Sequence, residues 1–178
     1  MKQETYILDT NVYGEILIEK NSEKVIDNIE KDKSLYIFGV DIIKEELHDV
    51  PSDKKIKGKI FRETILSAYN SLIDEELISP PIARYLASQY YKNYSKLMKS
   101  GKYIFKKKEL KYSEEDLKND FQIIAIAALK GIDIIVSADK RTMLSDIAKK
   151  TYDVVNKINN LRTPRLIDYF EFRKRYIK

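Results

Sequence analysis

The residues of this sequence that could do chemistry are four acids, Asp9, Glu46, Asp120 and Asp139. Asp9 and Asp139 come at or just after the end of an apolar run typical of a buried strand, whereas Glu46 and Asp120 lie in segments with helical spacing. Clustered carboxylates repel one another, so they take up protons or bind a cation. Ligands that are all oxygen suit Mg²⁺, Mn²⁺ or Ca²⁺, and Mg²⁺ or Mn²⁺ suits the attack of water on a phosphodiester.

The predicted elements bring these acids to one place. We predict strands at residues 5–8, 35–39, 132–136 and 152–155. Helices are predicted at residues 12–20, after a Ser22 cap, at 42–48, 60–74, 114–130 and 140–150, and after Thr163-Pro164. The helix at residues 114–130 is expected to begin with a capping box formed by Ser113 and Asp116 and to end at Gly131. Apolar strands that alternate with helices predict an α/β fold whose central parallel sheet carries helices on both faces. Sites in such sheets form beyond the carboxyl ends of the strands, an edge that Asp9 and Asp139 would share.

Each acid also has a purely structural explanation. Asp9 and Asp139 could cap the helices that follow them. Glu46 alone is typical of a solvated helix position, and Asp120 alone could pair with a nearby lysine. Asp120 nevertheless shares a helix face with apolar residues three, four and seven positions further on, where an unpaired carboxylate is costly to bury. The four acids together therefore predict a site that none of them predicts alone.

The composition excludes several classes of site. The 178 residues include no cysteine and one histidine, so thiol nucleophiles, zinc–thiolate sites and multi-histidine metal sites cannot form. The longest nearly pure apolar run, residues 123–129, is too short to span a bilayer. No long apolar stretch follows the charged N-terminus, so we expect no signal peptide, no membrane association and a cytoplasmic location.

A basic, tyrosine-rich segment begins at the break Pro80-Pro81. Residues 80–112 carry nine basic side chains and one acidic side chain, whereas the net charge of the whole chain is +5, so the rest of the chain is net acidic. We predict a helical basic insertion in a single domain that spans residues 1–178. Because lysines neutralise phosphates and aromatic rings stack on unpaired bases, the segment is expected to bind RNA. The lysines expected to contact RNA are Lys92, Lys96, Lys99, Lys106, Lys107, Lys108 and Lys111. The alternatives are that the tyrosines pack a helical hairpin, or that the segment docks an acidic protein.

Four motifs in this order resemble those of the PIN-domain ribonucleases, a family that includes the VapC-like toxins. Residues 6–11, Tyr-Ile-Leu-Asp-Thr-Asn, are similar to the first strand and Asp-Thr-Asn turn of that family, and Glu46-Leu47 is similar to its helical Glu-Leu. Residues 119–127 resemble the segment that carries the third acid of the family, and residues 135–139 its last strand and fourth acid. Residues 163–167 resemble the proline-containing segment near the C-terminus of its members.

The resemblance implies a fold, a cofactor and a role for each acid. It implies a parallel sheet with helices on both faces and cleavage of single-stranded RNA at a Mg²⁺ or Mn²⁺ site. The metal-binding acids would be Asp9, Glu46, Asp120 and Asp139, with Asn11 and Ser137 as supporting polar groups. Glu45 is the alternative to Glu46, because a misreading of one residue exchanges them.

One departure from the family pattern concerns a further acid. Many members carry one shortly after the fourth acid, but residues 140–143 are Lys-Arg-Thr-Met in this chain. Asp116, one helical turn before Asp120, is the candidate substitute and is therefore a third supporting residue.

These observations predict a metal-dependent endoribonuclease that hydrolyses phosphodiester bonds of single-stranded or structured RNA, as the toxin of a toxin–antitoxin pair or as an RNA-processing enzyme. The alternative is a non-catalytic PIN-like module that binds RNA or a protein. The partners expected are RNA, an antitoxin protein and a second copy of the chain.

Overall fold

Five parallel strands form the central sheet of the computed structural model, which describes residues 3–100 and 112–176. They are β1 (Glu4–Leu8), β2 (Leu35–Val40), β5 (Glu75–Leu77), β6 (Ile134–Ser137) and β7 (Arg165–Asp168). Their order across the sheet is β5-β2-β1-β6-β7, and every neighbouring pair is parallel. A separate antiparallel hairpin consists of β3 (Lys55–Ile56) and β4 (Lys59–Ile60).

Helices connect the strands and cover the sheet. They are α1 (Thr10–Ile18), α2 (Ser22–Glu30), α3 (Asp41–His48), α4 (Phe61–Leu72), α5 (Pro81–Lys99), α6 (Glu114–Lys130), α7 (Asp146–Ile158) and α8 (Tyr169–Arg173). The chain moves outward from β1 to β2 and β5, and then crosses back to β6 and β7. Because crossovers between parallel strands are right-handed, this reversal puts α1–α4 on one face and α5–α7 on the other. The same two groups of helices pack among themselves, and the predicted α/β fold is confirmed.

The centre of the core lies at β1 and β6. Ile7 and Leu8 on β1, and Ile135 and Val136 on β6, have no solvent exposure. Strands that are buried on both faces are continuous apolar runs, which is why the sequence pattern identified this pair. The chain order reverses between β1 and β6. In α/β proteins, ligands bind in the crevice that such a reversal leaves at the carboxyl ends of the strands.

Helix α6 has both of the ends that its sequence predicts. Ser113 and Asp116 form the predicted capping box, in which each side chain accepts a hydrogen bond from the backbone N–H of the other. Gly131 ends the helix in the left-handed conformation, with φ of 69°. These caps fix the start and the end of the helix that carries Asp120.

The prediction for the C-terminal third of the chain is wrong in three places. Residues 152–155 are not a strand but lie within α7, which begins at Asp146 rather than at residue 140. Thr163-Pro164 does not begin a helix, because β7 follows at once and Asp168 caps the short α8. The β-branched pair at residues 154–155 favours a strand locally, but α7 buries one helical face against its neighbours, and tertiary packing overrides that preference.

Smaller differences occur near the N-terminus and at the shortest strands. Ser22 is the first residue of α2 rather than its cap, and its hydroxyl accepts a hydrogen bond of 2.9 Å from Lys57 Nζ. The sequence pattern does not predict β3, β4 or β5, since two or three residues are too few to show a period.

Two buried tyrosines attach α5 to the domain. The rings of Tyr90 and Tyr94 pack at 6.0 and 5.9 Å on Phe121 of α6, and Tyr90 also packs at 5.3 Å on Tyr152 of α7. For Tyr90 and Tyr94 the alternative that the tyrosines pack a helical hairpin is therefore confirmed. No helix in the described part of the chain is long and apolar enough to cross a membrane.

Candidate functional site

Asp9 lies where β1 ends, level with Ser137 at the end of β6, because Leu8 pairs with Val136 in the sheet. Its side chain accepts hydrogen bonds of 2.7 Å from Ser137 Oγ and 2.6 Å from Asn11 Nδ2. It also accepts a hydrogen bond of 2.9 Å from the backbone N–H of Thr10 and so caps α1. Asp9 therefore caps α1, as its structural explanation predicts, and also lies at the sheet edge that it was expected to share with Asp139.

Burial raises the pKa of Asp9 to about 6, since the residue is 3% exposed. The hydrogen bonds from Ser137, Thr10 and Asn11 lower this pKa, whereas the nearby charge of Glu46 raises it. The site thus contains a carboxyl group that holds its proton well above the ordinary range, as expected where carboxylates share a small volume.

Glu46 reaches the same edge from α3. Its two oxygens accept hydrogen bonds from the hydroxyl of Thr10 and, at 2.6 Å, from Asn119 Nδ2 on α6. Glu46 is partly buried, whereas Glu45 is exposed. The structure therefore brings Glu46, and not Glu45, to Asp9.

Asp120 and Asp139 are joined by one hydroxyl group. Thr142 Oγ1 lies 2.6 Å from Asp120 Oδ2 and 2.6 Å from Asp139 Oδ2, so these two oxygens can be no further apart than twice that distance. The other oxygen of Asp139 accepts backbone hydrogen bonds of 2.7 Å from Arg141 and 3.0 Å from Thr142. Asp120 is thus satisfied by a threonine and not by a lysine.

The pKa values of this pair shift in opposite directions. The pKa of Asp120 is raised to about 7. Burial is the main cause, and the charges of Asp9, Asp139 and Glu46 act in the same direction, whereas the hydrogen bond from Thr142 lowers the pKa. Burial also opposes ionisation of Asp139, but the hydrogen bonds from Thr142 and Arg141 outweigh it and lower the pKa of that carboxyl. The other three predicted acids therefore all influence the protonation of Asp120.

Asp116 points to a different place. It is fully exposed, and its carboxylate accepts hydrogen bonds of 2.7 Å from both the backbone N–H and the hydroxyl of Ser113. These hydrogen bonds lower the pKa of Asp116. Although Asp116 lies one turn before Asp120 on α6, its side chain caps the helix and does not contact the other acids.

Three further residues of the site were not in the predicted set, namely Thr10, Asn119 and Thr142. Thr10 and Asn119 each donate a side-chain hydrogen bond to Glu46, and the hydroxyl of Thr142 lies within hydrogen-bonding distance of both Asp120 and Asp139. Thr10 and Asn119 are direct neighbours of Asp9 and Asp120 in the chain, so adjacency was the available signal. Thr142 lies three residues after Asp139, within the stretch where the resemblance led us to look for a further acid.

The donor chemistry of the site fits a hard divalent cation. Its ligand candidates are all oxygen atoms. Burial is the main cause of the raised pKa values of Asp9 and Asp120, and the charges of neighbouring acids raise them further, a repulsion that a bound cation would relieve. As the side chains lie, residues 3–100 and 112–176 nevertheless contain no group of three or more Asp, Glu, His or Cys close enough to hold a metal ion. Bridging donors such as Thr142 occupy the carboxylate oxygens instead.

The lysines expected to bind RNA divide into two sets. Lys92, Lys96 and Lys99 are exposed on α5, and their spacing of four and three residues places them on one face of that helix. Lys106, Lys107, Lys108 and Lys111 lie outside the described residues.

Comparison with known proteins gives structural similarity only. No family model matches the chain, and no curated protein matches it. One similar solved structure is VapBC2 from Rickettsia felis bound to a DNA fragment from its promoter, with 14% identity over 92% of this chain and 98% of that chain, and a TM-score of 0.49. Another is FitAB bound to an IR36 DNA fragment, with 16% identity over 93% of this chain and 95% of that chain, and a TM-score of 0.48.

Proposed function

We propose that this protein is a metal-dependent endoribonuclease whose site is the acidic crevice at the carboxyl ends of β1 and β6. The observation that supports this proposal most directly is the coupling of four carboxyl groups, because Asp9, Glu46 and Asp139 each raise the pKa of Asp120. An α/β scaffold that gathers like charges at its switch point is suited to a hard cation and a phosphodiester.

The acids would hold Mg²⁺ or Mn²⁺, and their hydrogen-bond partners would orient them. Ser137 fixes Asp9, Asn119 fixes Glu46, and Thr142 fixes Asp120 and Asp139 together. When bound, such an ion lowers the pKa of water and neutralises charge on the phosphate. Donors that orient metal ligands in this way are typically worth 10- to 100-fold in metal affinity or activity.

Substrate recognition follows from the charge of the surface. The exposed Lys92, Lys96 and Lys99 on α5 would contact phosphates of the RNA, with the lysines of residues 106–111 as further contacts. The rest of the chain is net acidic, so residues 80–112 are where phosphate contacts would concentrate. A toxin role, with an antitoxin as partner and a homodimer as the assembly, and a cytoplasmic location belong to the same proposal.

The test is cleavage of labelled single-stranded RNA with Mn²⁺ and with EDTA, for the native chain, Asp9→Asn and Asp120→Asn. Cleavage should need the metal and fall by about 100-fold or more in either variant, because each replacement removes a charged ligand. Asp116→Asn is the matched control, since this acid lies on the same helix as Asp120 but faces Ser113. Metal-independent cleavage, or full activity of both site variants, contradicts the proposal.

A second function is favoured by one observation. In the described residues no three acids are close enough together to hold a metal ion. A PIN-like module that binds RNA or a protein without cleaving it needs no such group. This function predicts RNA binding that is equally tight with Mn²⁺ and with EDTA, and no cleavage under either condition.

A further inference from the structure

A buried glutamine on α6 has no hydrogen-bond partner. Gln122 is 5% exposed, and its side-chain amide makes no hydrogen bond to any residue within 3–100 or 112–176. Asn119 and Asp120, which precede it on the same helix, each have a side-chain partner. An amide that leaves water without gaining a partner costs free energy, so an unpaired buried amide suggests a ligand that completes it.

Gln122 lines a cleft between α5 and α6. Because Gln122 follows Asp120 by two residues, the two side chains leave the helix about 200° apart, and the cleft lies on the side of α6 away from the acids. The volume of the cleft is about 210 Å³, and α5 contributes Ser88 and Tyr91 to its lining. Pockets for drug-sized ligands measure about 300–1,000 Å³, so this cleft has room for one small ring system.

The lining of the cleft suits a flat base with a polar edge. The half-buried Tyr91 lies on its α5 side, and Phe121 lies on its α6 side. Aromatic rings stack on nucleobases, and the amide of a glutamine can donate to and accept from neighbouring atoms of adenine at the same time. The amide of Gln122, which lacks a partner, is therefore the group that could contact the edge of such a base.

The charges around the cleft favour a nucleic acid that lies along α5. Arg84 lines the cleft, and the exposed Lys92 and Lys96 lie eight and twelve residues further along the same face of α5. The wall from α6 carries two glutamates and one lysine, which is paired at 3.2 Å with one of these glutamates. Phosphates are attracted to the cations of α5 and repelled by the acids of α6, so a sugar–phosphate backbone along α5 would direct its base into the cleft.

We propose that the cleft between α5 and α6 is a base-binding subsite, in which Gln122 selects adenine in an RNA substrate. This inference rests on the proposed function and adds a base preference to it. The donor and the acceptor of the amide match the amino group of adenine and the ring nitrogen beside it, whereas the corresponding edge of guanine presents acceptors only. A peptide is the less suitable occupant, because the row of cations on α5 matches the repeated phosphates of a nucleic acid.

The test is binding of RNA without cleavage. The affinities of a labelled oligouridylate of about ten nucleotides, and of the same strand with one central adenine, are measured in EDTA. The native chain should bind the strand with adenine more tightly by about fivefold or more, the fold-change at the lower end of the range for a bidentate contact to a base. A strand with unsubstituted purine in place of adenine lacks the amino group and should bind like the oligouridylate.

Two variants remove the proposed contact in different ways. Gln122→Leu removes the amide and keeps a side chain of similar size, so the affinities for the two strands should become equal. Because the amide has no partner in the free chain, Gln122→Leu should also unfold at a urea concentration no lower than the native chain does. Ser88→Tyr fills the cleft from the α5 side and should likewise remove the preference for adenine.

Gln89→Leu is the matched control. Gln89 is a half-buried glutamine of α5, but its side-chain oxygen accepts a 2.9 Å hydrogen bond from Asn159 at the end of α7. Its replacement should leave the preference for adenine unchanged. Replacement of Lys92 and Lys96 by glutamine should weaken binding of both strands equally. It should also reduce the slope of affinity against salt by about 0.7 for each phosphate that is no longer neutralised.

Four results would overturn the inference. They are no binding of either strand by the native chain, equal affinities of the native chain for the two strands, a preference for adenine that survives in Gln122→Leu, and an equal preference for guanine or cytosine at the central position. Because binding is measured in EDTA, a failure of metal-dependent cleavage contradicts the proposed function and leaves a preference for adenine intact. Conversely, metal-dependent cleavage by a chain that shows no preference for adenine contradicts the subsite and leaves the proposed function intact.

Discussion

Asp120 and Asp139 share the hydroxyl of Thr142, yet they differ in how tightly they hold a proton. Asp120 comes from the buried face of α6, has this hydroxyl as its hydrogen-bond partner, and has a pKa raised to about 7. Asp139 lies in the turn after β6, where two backbone N–H groups also donate to it and its pKa is lowered. At this edge, burial together with the supply of hydrogen-bond donors decides which acid is a stable anion.

The largest expected effect is an opposite change in stability at these two acids. At pH 8 in EDTA, Asp120→Asn should raise the free energy of unfolding by about 2 kcal/mol, because it removes a buried charge that three carboxylates repel. Asp139→Ala should lower it by about 2 kcal/mol, because the two N–H groups lose a charged acceptor. Urea unfolding at pH 8 measures the free energy of unfolding of each variant. A change of the same sign in the two variants contradicts the comparison.

The next effect is the pH dependence of stability without metal. Asp9 and Asp120 have folded pKa values of about 6 and about 7, above the ordinary value of about 3.9, so between these limits the folded chain binds more protons than the unfolded chain. Their contribution to stability is therefore complete below about pH 4 and is lost as the pH rises through about 6 to 7. We expect a loss of about 2 kcal/mol between about pH 5 and 8, measured by urea unfolding in EDTA.

The matched variant for this measurement is the double replacement Asp9→Asn with Asp120→Asn. It should flatten the pH dependence, because neither residue can titrate. Saturating Mn²⁺ should also restore stability at pH 8 in the native chain, since a ligand that binds only the folded state stabilises it. The prediction is contradicted if the stability of the native chain in EDTA rises between about pH 5 and 8.

A smaller effect is expected from the shared donor. Thr142→Val keeps the shape of the side chain but removes the hydroxyl that joins Asp120 to Asp139. Metal affinity should fall by about tenfold, the lower end for a residue that orients ligands. Calorimetric titration with Mn²⁺ measures it, and Thr142→Ser, which keeps the hydroxyl, should bind like the native chain. Equal affinities of Thr142→Val and Thr142→Ser would show that the bridge has no role in holding metal.

The smallest effect is expected at the acid that the site does not use. Ser113→Ala should lower the free energy of unfolding by about 1 kcal/mol, because α6 loses its capping hydroxyl. Asp116→Ala removes the other half of the same capping box, so it should lower stability slightly and leave RNA cleavage unchanged. Loss of cleavage in Asp116→Ala, with stability preserved, would instead make Asp116 a fifth acid of the site.

The sequence predicted the fold where short-range patterns, such as continuous apolar runs and helix-capping residues, mark the elements. β1 and β6 are continuous apolar runs, and the predicted caps of α6, Ser113 and Gly131, hold in the structure. The prediction failed at α7, because residues 154–155 favour a strand locally while packing against α5 decides their conformation. It also gave Tyr85 and Tyr90 the same expected role, although only tertiary packing makes one exposed and the other fully buried.

By itself the sequence determined that any metal would be bound by oxygen ligands and that four acids would gather at one sheet edge, since strand ends and helix faces follow from short-range patterns. The tertiary structure decided what each acid experiences there. A contact with Asn119, which lies 73 residues away in the chain, distinguishes Glu46 from Glu45 as the glutamate at this edge. Thr142 became the link between Asp120 and Asp139 for the same reason, because hydrogen-bond partners and burial depend on segments that meet only in the folded chain.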